Sequence, residues 1–264
     1  MDIKIAVINK HNKVKKEKLL SRRAYLDYIG SYEEGDCIQV TTGEKGQYLI
    51  VQLDEALNPS LIYLKDYVWE YHIPLSNKAR EAYSPKAFSG NKHYISVRKA
   101  EEHEISQYQN LALNPHDQQN NSGAYPHASA NVETRNDSTF FARNAIDGVI
   151  ANTDHGPYPY QSWGINQQAD ACIKIDFGRL VIIDKISLVL RGDYPHDSYW
   201  THATISFSDG SSESIGLEKL LEPQTINFPP KKIKWLELKE LIKAEDESPF
   251  PALTQIEVFG HNIS

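Results

Sequence analysis

The sequence predicts an all-β protein built as two β-sandwich (jelly-roll) domains. Three observations predict it. Short apolar or alternating runs recur along the whole chain, turn-forming residues separate them, and one polar stretch midway breaks the composition. With 264 residues the chain is long enough for two domains that each bury a core.

The first domain is placed at residues 1–108. Its strand candidates are "IKIAVI" (3–8), "YLIVQL" (48–53), "SLIYL" (60–64), "YVWEYHI" (67–73) and "HYISVR" (93–98), split by turns such as "TTGEKG" and "NPS". Between them, Leu19, Leu20, Ala24, Tyr25 and Ile29 recur at near-helical spacing. They predict one helix over 14–29, stopped by Gly30. The stretch "ISQYQNLALNPHDQQNNSGAY" (105–125) is rich in Asn, Gln, Ser and Gly and marks the junction near residue 108. The second domain, 109–264, carries "ACIKIDFG" (171–178), "KISLVLR" (185–191), "HATISFSDGS" (202–211), "TINF" (225–228), "IKWLELKEL" (233–241) and "TQIEVFG" (254–260). Within it "SDGS" reads as a tight turn around Gly210. A shared rhythm of strand, acid, loop and apolar strand makes the first domain a candidate degenerate copy of the second.

Charge narrows the function classes. A net charge of −7 argues against a nucleic-acid backbone as partner, which needs clustered cations. The one basic run, "KVKKEKLLSRR", reads as a solvated helix face. No apolar run approaches the ~18 residues that a membrane span needs, and no secretory signal stands at the start. The expectation is therefore a cytoplasmic protein, or an extracellular one whose export signal has been removed. Cys37 and Cys172 lie far apart without metal-ligand spacing and are expected as buried free thiols.

Chemistry concentrates in "RGDYPHDSYW" (191–200), directly after the apolar run "KISLVL". It offers Arg191, Asp193, His196 and Asp197 as polar partners, with Tyr194, Tyr199 and Trp200 as rings. A second aromatic loop, "DHGPYPYQSWG" (154–164), adds His155, Tyr158, Tyr160 and Trp163. Arg presents a planar fork of donors, a carboxylate accepts from two groups at once, and Tyr and Trp combine an apolar face with a polar handle. Prolines 157, 159 and 195 stiffen both loops and lower the ordering cost of binding. Other readings stay open. Trp163 and Trp200 also fit a core edge, and Arg191 also fits a structural ion pair with Asp193 or Asp176. Asp193, His196 and Asp197 also fit an acid–base set, although glycosidase carboxylates usually arrive from separate strands. No nucleophile elbow, phosphate loop or zincin motif is present.

Four landmarks in order carry a resemblance: the Ala-Ser-Ala start in "YPHASANVE", the "AIDG" turn, the "IDFG" strand end and the closing "IEVFG". Over residues 110–261 the chain resembles the galactose-binding-like β-sandwich of discoidin domains, coagulation-factor type C domains and bacterial carbohydrate-binding modules. The resemblance implies a carbohydrate ligand held without turnover by loops at one end of the sandwich. An interaction or homo-oligomerisation module using the same rings is the alternative, and a carbohydrate-active enzyme the third reading. The resemblance also implies a structural calcium ion. Asp147 supplies its side-chain ligand, and carbonyls near Asn144 and Val149 turn inward. Asn152 or Thr153 stands at the threonine position, and Glu257 closes the site. Val149 and the longer Asp-to-Thr spacing depart from that pattern; the alternative is an ordinary Asp-Gly turn with its carboxylate on backbone amides.

Overall fold

A computed structural model describes residues 2–120 and 123–263. The expected all-β architecture is what the chain adopts. The first half contributes strands β1 (Asp2–Ile8), β2 (Val14–Ser21), β3 (Arg23–Ile29), β4 (Cys37–Thr42), β5 (Gln47–Gln52), β6 (Ser60–Leu64), β7 (Val68–His72) and β8 (Lys92–Lys99), with short helices α1 (Asn77–Arg80) and α2 (Glu102–Ser106). The second contributes β9 (Gln109–Asn110), β10 (Ala124–Tyr125), β11 (His127–Ala130), β12 (Trp163–Gly164), β13 (Ile173–Leu190), β14 (Trp200–Phe207), β15 (Ser212–Gly216), β16 (Gln224–Lys243) and β17 (Ala252–Asn262). No helix among the described residues is long and apolar enough to cross a membrane.

The N-terminal sandwich pairs β2-β1-β4-β7 in one sheet and β10-β6-β5-β8-β3 in the other. Ile3, Ile5, Val40, Leu49, Val51, Ile95 and Val97 meet between them in one buried cluster. The helix expected over 14–29 is instead the two strands β2 and β3, separated by Arg22 at φ 63°. Alternation decides it: in β3, Ala24, Leu26 and Tyr28 point inward while Arg23, Tyr25, Asp27 and Ile29 point to solvent. A helical spacing joins residues from both faces of these strands, and Ile29 is 77 % exposed.

The C-terminal sandwich is organised by two long antiparallel strands, β13 and β16. Their register breaks between Asp176 and Val181. Before the break, β13 also pairs with β11; after it, β13 pairs with β17. The C-terminal end of β16 meanwhile pairs with β14. Ile175, Phe177, Val181, Ile183, Leu188, Ile205, Leu236 and Val258 then share one buried cluster. Gly178 sits at the break with φ +64°, and a Cβ there would meet the Tyr125 ring at 2.3 Å.

The two halves interlock. Strand β10 lies beyond residue 108 yet pairs with β6, and Ala124 belongs to the N-terminal core. His116 is buried between the halves: its Nε2 accepts from the Leu53 amide at 3.2 Å, and its Nδ1 lies 3.1 Å from Ser60 Oγ. Gln118 makes two bonds to the His72 backbone. Cys37 is buried, its thiol pushed up to about 11 by burial and then Glu70; Cys172 is only half-buried, in contrast to the expectation, and both are free.

Candidate binding cleft

Strand β13 ends at Leu190, and the Arg191 amide continues its ladder to the Ala252 carbonyl at 3.0 Å. The Gly192 amide bonds the Asn152 carbonyl at 2.8 Å, so the chain leaves the sheet in a fixed direction. Arg191 is 5 % exposed, and a charge so deep needs partners. Asp197 supplies them: Nε bonds Oδ2, and Nη2 bonds Oδ1 at 2.6 Å. Nη2 also donates to the Phe250 carbonyl at 2.7 Å. Nη1 has no hydrogen bond among the described residues, and Arg191 lines a cleft.

That cleft has a volume of about 170 Å³. Phe140 and Arg135 form one wall; Ile165, Asn166 and Gln167 form another. His155, His196 and Arg191 also line it, and Phe250, Pro251 and Ala252 contribute apolar surface. His155 Nδ1 lies 2.5 Å from Asp193 Oδ2, which ties loop 154–164 to loop 191–197 and leaves His155 Nε2 without a hydrogen bond among the described residues. Burial alone would raise Asp193; the bond from His155 and the charge of Arg191 outweigh it and hold the carboxyl below its ordinary value. Asp197 goes the other way. Burial pushes its carboxyl up to about 6 against the pull of Arg191.

The wall residues Arg135, Asn166 and Gln167, with Asn136 beside them, have φ between 50° and 59°, a costly region for side-chain-bearing residues. Such strain is concentrated where surrounding structure imposes it, and functional sites are favoured places. Arg135 lies with Cζ 5.6 Å from the Phe140 ring centre.

The expected aromatic platform is corrected. Trp163 and Trp200 are interior, their ring centroids 6.3 Å apart, and Trp163 Nε1 bonds the Val132 carbonyl at 2.9 Å. Both rings serve the core because their strands direct them inward. Tyr199 packs half-buried on the same core. Tyr194 is half-buried under Lys219, whose Nζ is 4.1 Å from the ring centre, and burial pushes its phenol up to about 12. Tyr158 turns to the other half: its amide bonds the Glu81 carbonyl at 2.7 Å, and its ring borders a separate cavity beside Tyr83. Tyr160 is half-buried and outside the cleft lining. Phe140 and Phe250 supply the rings that the cleft does have. Sequence reasoning missed them, with Thr134, Arg135, Asn166 and Gln167; the turn-rich "ETRND" and "INQQAD" were the available signal.

The residues expected around calcium do not fit the ion. Asp147 is buried, and its Oδ1 accepts from the Val149 amide and Gln255 Nε2, each at 2.8 Å. Its Oδ2 accepts from Gln161 Nε2 at 2.8 Å, and Arg143 Nη2 stands 4.0 Å away. Gln255 Nε2 also takes the Asn144 carbonyl at 2.6 Å. Calcium wants a shell of six to eight oxygens, whereas this carboxylate is surrounded by N–H donors and a cation. Glu257 pairs opposite Ser187 and is not among Asp147's partners; Gln255, two residues earlier on the same face of β17, holds the closing position. Asn152 spends its side-chain amide on the Leu190 and Leu221 carbonyls, and Thr153 is exposed. Gly148 carries φ +83°, so "AIDG" is a turn closed by amides. One other group of metal-ligand types exists among the described residues, Asp154, His155 and Asp193 at the cleft rim. There Asp193 is already committed to His155.

No family model and no curated protein sequence matches the chain. Solved structures do. A chitosan-binding module of a chitosanase/glucanase from Paenibacillus sp. IK-5 is 17 % identical, covering 57 % of this chain and 98 % of its own, with a TM-score of 0.38. A family 32 carbohydrate-binding module from C. perfringens, solved with galactose, is 18 % identical over 50 % of this chain and 91 % of its own, TM-score 0.39. A fucose-binding module from Streptococcus pneumoniae is 17 % identical over 58 % and 98 %, TM-score 0.41.

Proposed function

We propose that the chain is a carbohydrate-binding protein that holds one sugar ring in this cleft without cleaving it. The observation that carries the reading is the pairing of chemistry around it. Arg191 Nη1 and His155 Nε2, both without protein partners among the described residues, belong to residues that border a pocket with phenyl and proline walls. A cavity of about 150 Å³ accepts one benzene-sized molecule, so about 170 Å³ suits a single six-membered ring. A pyranose offers an apolar C–H face for Phe140 or Phe250, and hydroxyls that accept from a guanidinium and exchange a bond with an imidazole. Pre-paired Asp193 and Asp197 hold the imidazole and the guanidinium in place, which reduces the ordering cost of binding.

Turnover is disfavoured by the same pairs. Asp197 titrates in the range of a general acid, yet both its oxygens face Arg191 and it does not line the cleft. The protein-docking alternative loses half of its six rings, since Tyr199, Trp163 and Trp200 pack inward.

The test is an array carrying fucose, galactose, GalNAc-β-1,3-galactose, Lewis B antigen and chitosan oligomers, followed by titration of any hit. Selective, saturable binding with the glycan recovered intact by mass spectrometry is the expected result. No binding at millimolar ligand would overturn the reading, and a shortened glycan would turn it into an enzyme.

A further inference from the structure

A second hollow adjoins the cleft at Gln167. It has a volume of about 480 Å³, and Ile165, Gln167 and Pro251 line both. Its floor is Trp200, and its walls include Gln168, Lys243, Asp246 and Ser248. Trp200 is 1 % exposed, and its indole Nε1 has no hydrogen-bond partner among the described residues, although a buried Trp N–H normally has one. The opposite wall is held in shape. Lys243 Nζ bonds Asp246 Oδ1 at 2.8 Å, Ser198 Oγ bonds Asp246 Oδ2 at 2.7 Å, and Ser248 Oγ bonds the His196 carbonyl at 2.9 Å. That last bond ties the hollow's wall to the loop that rims the cleft.

We infer that this hollow is an extension of the binding cleft that receives the next residues of the same glycan chain, so that the preferred ligand is an oligosaccharide. The inference rests on the sugar reading of the cleft. Two features argue for this occupant. The hollow adjoins the cleft, with Ile165, Gln167 and Pro251 lining both, so a ligand seated in the cleft lies beside it. Its volume is nearly three times that of the single-ring cleft, while its lining mixes proline and indole surface with amide, ammonium, carboxylate and hydroxyl groups. That mixture matches the alternating C–H faces and hydroxyls of a saccharide chain. An apolar peptide side chain would offer nothing to the remaining donor and acceptor capacity of those groups.

Two matched ligand pairs test it by calorimetry: galactose against GalNAc-β-1,3-galactose, and fucose against Lewis B antigen. The variant is Ala169→Trp, an exposed turn position that lines the hollow but not the cleft. In the unaltered protein at least one oligosaccharide is expected to bind about tenfold tighter than its monosaccharide. Ala169→Trp is expected to abolish that gain and leave the monosaccharide affinity unchanged. Equal affinity for both members of each pair, or a gain that survives Ala169→Trp, overturns the extension while the single-ring site stands. Failure of all four ligands falls on the sugar reading itself and takes the extension with it. A circular dichroism melt of the variant that matches the parent's excludes misfolding as the cause of a loss.

Discussion

His155 and Asp193 lie 38 residues apart in sequence and 2.5 Å apart in space. Their bond joins the two loops singled out in the sequence, and it does so at the rim of a cleft. His155 is half-exposed, so its removal leaves no hole in a core. His155→Ala is expected to weaken sugar binding about tenfold or more while stability stays within about 0.5 kcal/mol. Calorimetry and a urea melt on one preparation check both halves. A large stability loss would recast the pair as structural.

Asp197 gives the fold a pH signature. Its folded pKa of about 6 lies above the ordinary 3.8, so between these values the native state keeps a proton that the unfolded chain has released. Its contribution to stability is therefore full below about pH 3.8 and lost as pH rises through about 6. Asp197→Asn cannot titrate. Urea midpoints for the two proteins should converge or diverge between pH 4 and pH 7, with the parent losing relative stability as pH rises. A parent-minus-variant difference that does not change over this window contradicts the assignment.

His116 has the opposite sign. Burial, and then the charge of Arg143, lower its pKa to about 3, so the ring is neutral in the fold where an unfolded histidine takes a proton below about 6.5. The stability it contributes is present above pH 6.5 and is lost as pH falls toward 3. While the unfolded form alone is protonated, this one group steepens acid unfolding by ~1.4 kcal/mol per pH unit. His116→Gln should lack that component. Since His116 bonds Leu53 and Ser60 across the two halves, the variant should also melt earlier at neutral pH.

At Asp147 the account predicts no calcium dependence. Melting curves in calcium and in chelator should coincide. Gln255→Glu removes the amide that bridges Asp147 and Asn144 and sets a second carboxylate beside the first. That variant should lose stability in chelator and recover part of it in calcium. A rise in the parent's melting temperature with calcium would show that the amides yield to the ion.

The parts of this architecture that were legible in the sequence were those with period two. In β13 the alternation through Ile173, Ile175 and Phe177 predicts a buried strand, and Arg191 through Asp197 stand out because charge follows directly on the apolar run 185–190 at its end. The 14–29 stretch misled because Leu19, Tyr25 and Ile29 are apolar residues facing solvent. Trp200 misled for a local reason. The register of β14 against β16 shifts between Trp200 and His202, so its inward orientation does not follow from counting back along the strand. Phe140 and Phe250 were invisible because a lone ring in a loop has no periodic partner to mark its face. Glu257 drew attention as the acid of "IEVFG", whereas the neighbouring pair on the same face of β17 brings Gln255 to Asp147.

Diffraction from crystals soaked in fucose or galactose measures the central relationship directly. The pyranose is expected in the cleft, with hydroxyl oxygens within hydrogen-bond distance of Arg191 Nη1 and His155 Nε2 and its C–H face on Phe140 or Phe250. A ring bound elsewhere on the molecule, with only water between Arg191 and His155, would contradict the account.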